Sequence, residues 1–210
     1  MHSEAPTSIL EDYLAQYLTP VYIAVATMAV GILFGVLAVG TLTPADKLSL
    51  VGYLRHFIDI QTSTPTYHGV FRQALTANLK LLGLLYLLGV SVAGMPLVMV
   101  ALFFRGFVLG FSAAFVLMSF HWQGAGLAAI TMGLQNVFIV PAIVIVGGVA
   151  LGFSWQLIST KGRAARSTLS QRFAAFTTLV VAMSFVVLVG TALEAYAAPF
   201  LMHLLSGWGI

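Results

Sequence analysis

The chain contains no cysteine, and only 7% of its 210 residues are charged. The first absence excludes structural disulfides, thiolate metal ligands and a cysteine nucleophile. The second excludes an ordinary water-soluble domain, which covers its surface with roughly 25% charged residues. The five histidines, His2, His56, His68, His121 and His203, show no HExxH or other ligand spacing. There is no glycine-rich phosphate loop, no Ser/His/Asp set and no pair of carboxylates spaced for acid–base work. The sequence therefore offers a hydrolase nothing to work with, and the reading is of a non-enzyme with no catalytic residue, metal or cofactor. The excess of positive charge is concentrated in one short loop and does not point to nucleic acid.

What the chain does have is apolar sequence: 60% hydrophobic residues and a mean hydropathy of +1.02. A membrane-crossing helix needs about 20 such residues. Val21 to Leu42 and Leu81 to Phe104 are uncharged, as is Phe173 to Leu193. Gly106 to Thr160 is a further uncharged run of 55 residues. As helix it would measure roughly 80 Å, enough for two crossings. The expectation is an all-α integral membrane protein, a polytopic bundle of about five transmembrane helices in one domain, 1–210. The approximate spans are 21–42, 76–94, 96–120, 126–158 and 173–197, with amphipathic helices at 8–18 and 44–59.

Ser8 and Glu11 have the spacing of a capping box. Leu10, Tyr13, Leu14, Tyr17 and Leu18 follow as one stripe. They form either a surface helix ended by Pro20 or the first turns of span one. The N-terminus carries Glu4, Glu11 and Asp12 without a basic residue, so it reads as mature, with span one retained. Thr43-Pro-Ala-Asp46 is a helix start, followed by Leu48, Val51, Leu54 and Ile58 on one face. "QTSTPTYHG" reads as an irregular loop. Lys161, Arg163, Arg166 and Arg172 mark a cytoplasmic loop by the positive-inside rule. That places the N-terminus inside and the C-terminus outside. Gly31/Gly35, Gly106/Gly110 and Gly148/Gly152 are small-xxx-small pairs, which let helices in lipid approach closely.

The polar residues inside the apolar runs are the candidates for packing or partner contact: Asn78, Arg105, Gln135, Asn136 and Glu194. Pro96, Gly106, Gly110 and Pro141 would shape the helices. Arg105 has two placements. If Gly94-Met95-Pro96 is the turn between spans two and three, Arg105 sits near mid-membrane. If Pro96 only kinks span two, Phe104-Arg105-Gly106 is itself the turn. The cost of a buried cation, at least about 2.5 kcal/mol, favours the turn, while span length favours the membrane. An Arg105–Glu194 bridge needs the mid-membrane placement; otherwise Glu194 lies at the outer interface. "FHWQG", containing His121, reads as the turn between spans three and four.

The stretches "NLKLLGLLYLLGVSVAGMPLVMVALFF" (78–104), "RGFVLGF" (105–111), "QNVFIVPA" (135–142) and "EAYAAPFLM" (194–202) resemble the stage II sporulation protein M family. One position departs: the family often has proline directly before its Gln-Asn pair, where this chain has Leu134. The resemblance implies a cell-membrane component of the engulfment machinery of endospore-forming bacteria, acting at the septum. It also implies two peptidoglycan-degrading partners, D (a lytic transglycosylase) and P (an amidase/endopeptidase), which this chain would scaffold without cutting the wall itself. A homo-oligomer remains open. The competing class is a small transporter, or the membrane subunit of one.

Overall fold

The computed structural model describes the backbone of residues 6–63, 67–131, 133–159 and 164–206, and the side chains of 18–53, 69, 71–118, 136–158 and 170–193. The described residues form six helices: α1 (Pro6–Gly40), α2 (Pro44–Ser63), α3 (Tyr67–Gly89), α4 (Gly94–Thr131), α5 (Gly133–Ser159) and α6 (Ala164–Ser206). Four of them carry segments long and apolar enough to cross a membrane: Leu18–Gly40, Gly94–Met118, Asn136–Ile158 and Ser170–Leu193. The helix α3 falls outside that set because Arg72, Gln73, Asn78 and Lys80 occupy its first two-thirds.

α5 is the centre of the bundle. It packs against α1, α3, α4 and α6. Ile139, Ala142, Ile143, Val146, Ala150, Leu151, Phe153 and Ser154 are buried on nearly every side of it. The surrounding helices each bury one stripe, such as Val98 and Leu102 on α4 or Leu82 and Leu85 on α3. Their outer faces show Leu33, Leu37, Phe104, Val181 and Phe185 to the surroundings. An apolar exterior around an apolar core is what a lipid-embedded bundle requires, since lipid tails solvate leucine as well as the core does.

The largest interface joins α1 to α4, and glycine makes it possible. A Cβ on Gly31 would collide with the Phe103 carbonyl, and one on Gly35 with the Phe107 carbonyl. Reciprocally, a Cβ on Gly106 would strike the Met28 carbonyl, and one on Gly110 the Ile32 carbonyl. Contact advances along both helices in the same direction, so α1 and α4 run parallel. Two of the three glycine pairs therefore face each other. The third packs α5 on α1, with Gly148 against Val21 and Gly152 against Pro20. Beside this seam Phe103, Phe107, Phe111 and Phe115 stack along α4, their successive centroids 6.5, 6.1 and 6.2 Å apart.

The helix limits correct several expectations. α1 is continuous from Pro6, so Pro20 does not end a surface helix and Ser8 lies inside the helix, past its start. α3 and α4 meet at residues 90–93, earlier than the limits 76–94 and 96–120 implied. α4 runs unbroken through His121 to Thr131, so "FHWQG" is helix and no turn. α5 begins at Gly133, seven residues later than the expected 126, and contains Pro141 without ending there. α6 extends to Ser206, so the segment after Glu194 prolongs the last helix. "FHWQG" was thus read as a break where the backbone stays helical, and of the two readings at Pro20 the continuous first span holds. Apolar neighbours on both sides carry the helix through, as tertiary packing commonly overrides local propensity.

One local reading holds. α2 starts at the predicted cap: Thr43 Oγ1 donates to Asp46 Oδ2 at 2.6 Å, and the Asp46 amide donates to Thr43 Oγ1 at 3.2 Å. Its helix extends past the expected end to Ser63, and α3 begins at Tyr67, so the expected loop is helical at 61–63 and 67–69, and residues 64–66 lie outside the described residues. Of the expected basic loop, Lys161 and Arg163 lie outside them as well, while Arg166 and Arg172 lie on α6 and not in a loop.

The α1–α4 seam yields a direct test. Gly106→Leu should destabilise the protein by about 1–3 kcal/mol or more, because the collision is with backbone that cannot rotate away. Gly83→Leu, where an added Cβ meets nothing within 4 Å, should leave the thermal midpoint in detergent close to that of the wild type. Equal midpoints for the two variants would remove the seam from the account of stability.

Candidate functional site: a polar layer within the bundle

The α3–α4 turn fixes the register of the two helices that carry the most polar side chains. The amides of Val90 and Ser91 donate to the carbonyls of Tyr86 and Leu88, closing α3. Gly94 then opens α4 from a position where a Cβ would strike the Leu88 carbonyl. Pro96 falls in the first turn of α4, where its missing N–H costs no helix hydrogen bond. Ser154 of α5 donates to the Ser91 carbonyl at 2.9 Å and ties the turn to the central helix. Sequence reading missed Ser154; the only signal for it was a small polar residue in an otherwise apolar run.

From this turn α3 and α4 run antiparallel, and Asn78 and Arg105, each eleven residues from its own helix end at the turn, come side by side. Arg105 Nη2 donates to Asn78 Oδ1 at 3.2 Å. Asn78 is only 3% exposed, and Arg105 is half-buried. The interior placement of Arg105 is therefore the correct one. The alternative, Phe104-Arg105-Gly106 as a turn, fails because α4 passes through all three residues as helix. Span length outweighed the cost of the cation because Asn78 supplies an acceptor at the same depth. Arg105 sits about 16 Å along α4 from Gly94, which is near the middle of the apolar layer.

The Asn78 amide oxygen accepts a charge-assisted hydrogen bond from the Arg105 guanidinium and so helps to hold α3 against α4; neither residue supplies a nucleophile. Among the described residues, no group of three or more His, Cys, Asp and Glu is placed to hold a metal ion.

The other expected positions do not join this pair in any described contact. Asn136 is half-buried near the start of α5. Gln135 precedes it, with its side chain outside the described residues. Glu194 lies on α6 one turn beyond Gly190, which packs on Phe138 of α5, and its side chain is likewise outside the described residues. Gly106 and Gly110 shape the α1–α4 seam. Pro141 is exposed on α5.

Sequence reading also passed over a second polar feature. Arg72, Gln73, Thr76 and Lys80 share an exposed face of α3. Their 3- and 4-residue spacing was visible in the sequence. A third surface is the groove between α2, the end of α1 and the middle of α4, lined by Val39, Pro44, Lys47, Leu48, Val51, Phe115 and Met118. Leu48 is 75% exposed, so the apolar stripe of α2 adds little to the bundle core.

A helical bundle with an apolar exterior, an apolar core and several membrane-length helices defines a multi-pass membrane protein. The family model for stage II sporulation protein M matches residues 24–199. The match takes in α2 to α5 whole, the second half of α1 and most of α6, and the chain belongs to that family, which makes it a sporulation-related membrane protein. No curated protein and no solved structure matches it.

If the Arg105–Asn78 bond couples the two helices, alanine at each position and at both should give a double-mutant coupling of about 0.6–1.7 kcal/mol in unfolding titrations in mixed micelles. Asn78→Asp, which supplies a carboxylate to the same guanidinium, should fold as well as wild type, whereas Asn78→Leu should not. A coupling indistinguishable from zero would make the bond incidental.

Proposed function

We propose that this protein is a non-catalytic membrane scaffold that gathers peptidoglycan-degrading enzymes at the septal membrane during engulfment. The observation that carries the reading is the family match over residues 24–199. It is supported by a bundle whose polar residues are suited to holding helices together and to contacting other chains. The partners are a lytic transglycosylase and an amidase/endopeptidase, the D and P proteins of the same system.

The scaffold has five crossings. α3 is the fifth: it runs beside α4 over the same depth, from the shared turn past the Arg105 level. The basic loop after α5 faces the cytoplasm under the positive-inside rule. The α3–α4 turn then shares that side, and α2 with its groove faces the cell wall. The helix end beyond Glu194 lies on the wall side too. On that side the exposed Leu48 and Tyr53 of α2 meet the lipid headgroup region or an anchored enzyme.

Purification of the tagged protein from sporulating cells in mild detergent tests the reading. Both wall-degrading enzymes should be retained, and removal of α2 should release them while the remaining bundle keeps its helical content. Recovery of the protein without either enzyme, together with substrate-dependent flux in reconstituted vesicles, would replace the scaffold with a transporter.

A further inference from the structure

Gly69, Arg72, Gln73, Thr76, Ala77 and Lys80 line one open groove along α3. Thr76 folds its hydroxyl back onto the Arg72 carbonyl at 2.6 Å, while Arg72, Gln73 and Lys80 remain directed outward and exposed. The surrounding surface is apolar: Leu84 and Leu87 on α3, Phe104 on α4, and Val181 and Phe185 on α6 are all exposed. Polar and apolar residues thus share a surface that elsewhere suits lipid.

Depth makes the groove informative. Lys80 lies two residues from Asn78, whose partner Arg105 is near the middle of the apolar layer. It is about 13 Å along the helix from the α3–α4 turn and farther from the opposite end. A lysine stem extending along the helix does not bring its ammonium to the headgroups from there. Ionisable residues at such depth pair within the protein or with another chain, because hydrocarbon cannot solvate them.

We propose that this face of α3 is a docking groove for a membrane helix of another protein that carries a carboxylate, paired with Lys80 and reinforced by Arg72 about two turns away. Charge complementarity selects this occupant. A second copy of the chain does not fit, since none of its membrane-length segments, nor α3, contains an acidic residue. Phosphate headgroups do not fit, since they lie at the ends of the layer. The proposal deepens the scaffold reading by naming what a partner must carry, and it rests on that reading only in supposing a membrane partner.

The test uses the full chain in lipid vesicles, with a synthetic leucine–alanine transmembrane peptide of about 23 residues as the probe. Its central residue is glutamate in one version and glutamine in the other. The absence of cysteine lets a fluorophore be placed at Leu84→Cys, beside the groove, and energy transfer to a labelled peptide reports association. The glutamate peptide should bind about tenfold tighter than the glutamine peptide, and Lys80→Leu should abolish that preference. Because Lys80 is exposed, its replacement should not lower the thermal midpoint. Lys80→Glu should shift the preference to a peptide with central lysine, a rescue that a folding defect would not give.

Equal binding of the two peptides, or a preference that survives Lys80→Leu, would overturn the proposal. So would rapid reaction of Ala77→Cys with a membrane-impermeant thiol reagent, which would make the groove a water-filled crevice. Retention of the native wall-degrading enzymes by a Lys80→Leu protein would sink this docking site and leave the scaffold standing. Specific binding of the glutamate peptide by a protein that retains no enzyme would sink the scaffold and leave the groove standing.

Discussion

The rest of the structure depends on how closely α1 and α4 approach. In water a bundle is driven together by burial of apolar surface; in lipid that drive is absent, and packing decides. Gly31, Gly35, Gly106 and Gly110 remove four side chains from the seam and let each helix rest on the carbonyls of the other. That contact sets the parallel register of α1 and α4. α5 then fills the space beside them, with Gly148 and Gly152 against the start of the α1 span. α6 closes the far side, where Phe176 is buried beside Gly89 and stacks on Tyr86 and Phe153, with centroids 5.3 and 5.5 Å away.

On this frame the polar residues take on unequal roles. Arg105 follows directly before Gly106, so the seam that packs α4 against α1 also turns the guanidinium toward α3. There the buried Asn78 accepts its hydrogen bond. Lys80, two residues on, points away from the core. One cation at this depth is therefore satisfied inside the chain and the other is presented to the outside. A bundle that held both inside would be a closed unit. Presenting one is what the proposed docking of a carboxylate-bearing helix on α3 would use.

Much of the fold was legible in particular residues. The expected spans include the four membrane-length helices, because a long run without charge has few alternatives to crossing lipid, although the Leu81–Phe104 run straddles the α3–α4 turn. Thr43-Pro-Ala-Asp46 located the start of α2, because capping is a local hydrogen-bond exchange. The break expected at His121 was misjudged, and the reading at Pro20 stayed open, for the opposite reason. Proline and polar clusters signal a break only where nothing else holds the helix, and here neighbouring helices or flanking apolar turns hold it. At the candidate site, Asn78 and Arg105 were each visible as polar residues in apolar surroundings. Their partnership was not, since a contact across 27 residues depends on where the turn falls.

The sequence by itself determined that the chain is a helical membrane protein and which family it resembles, since composition, run length and short motifs are properties of single segments. It also named the glycines that would make close contacts. Tertiary structure decided which glycine pairs face each other, where α3 ends and α4 begins, and hence which polar side chain is satisfied inside. Those are matters of register between helices. Register is set by side chains distant in the chain meeting across a seam, and no single segment contains that information.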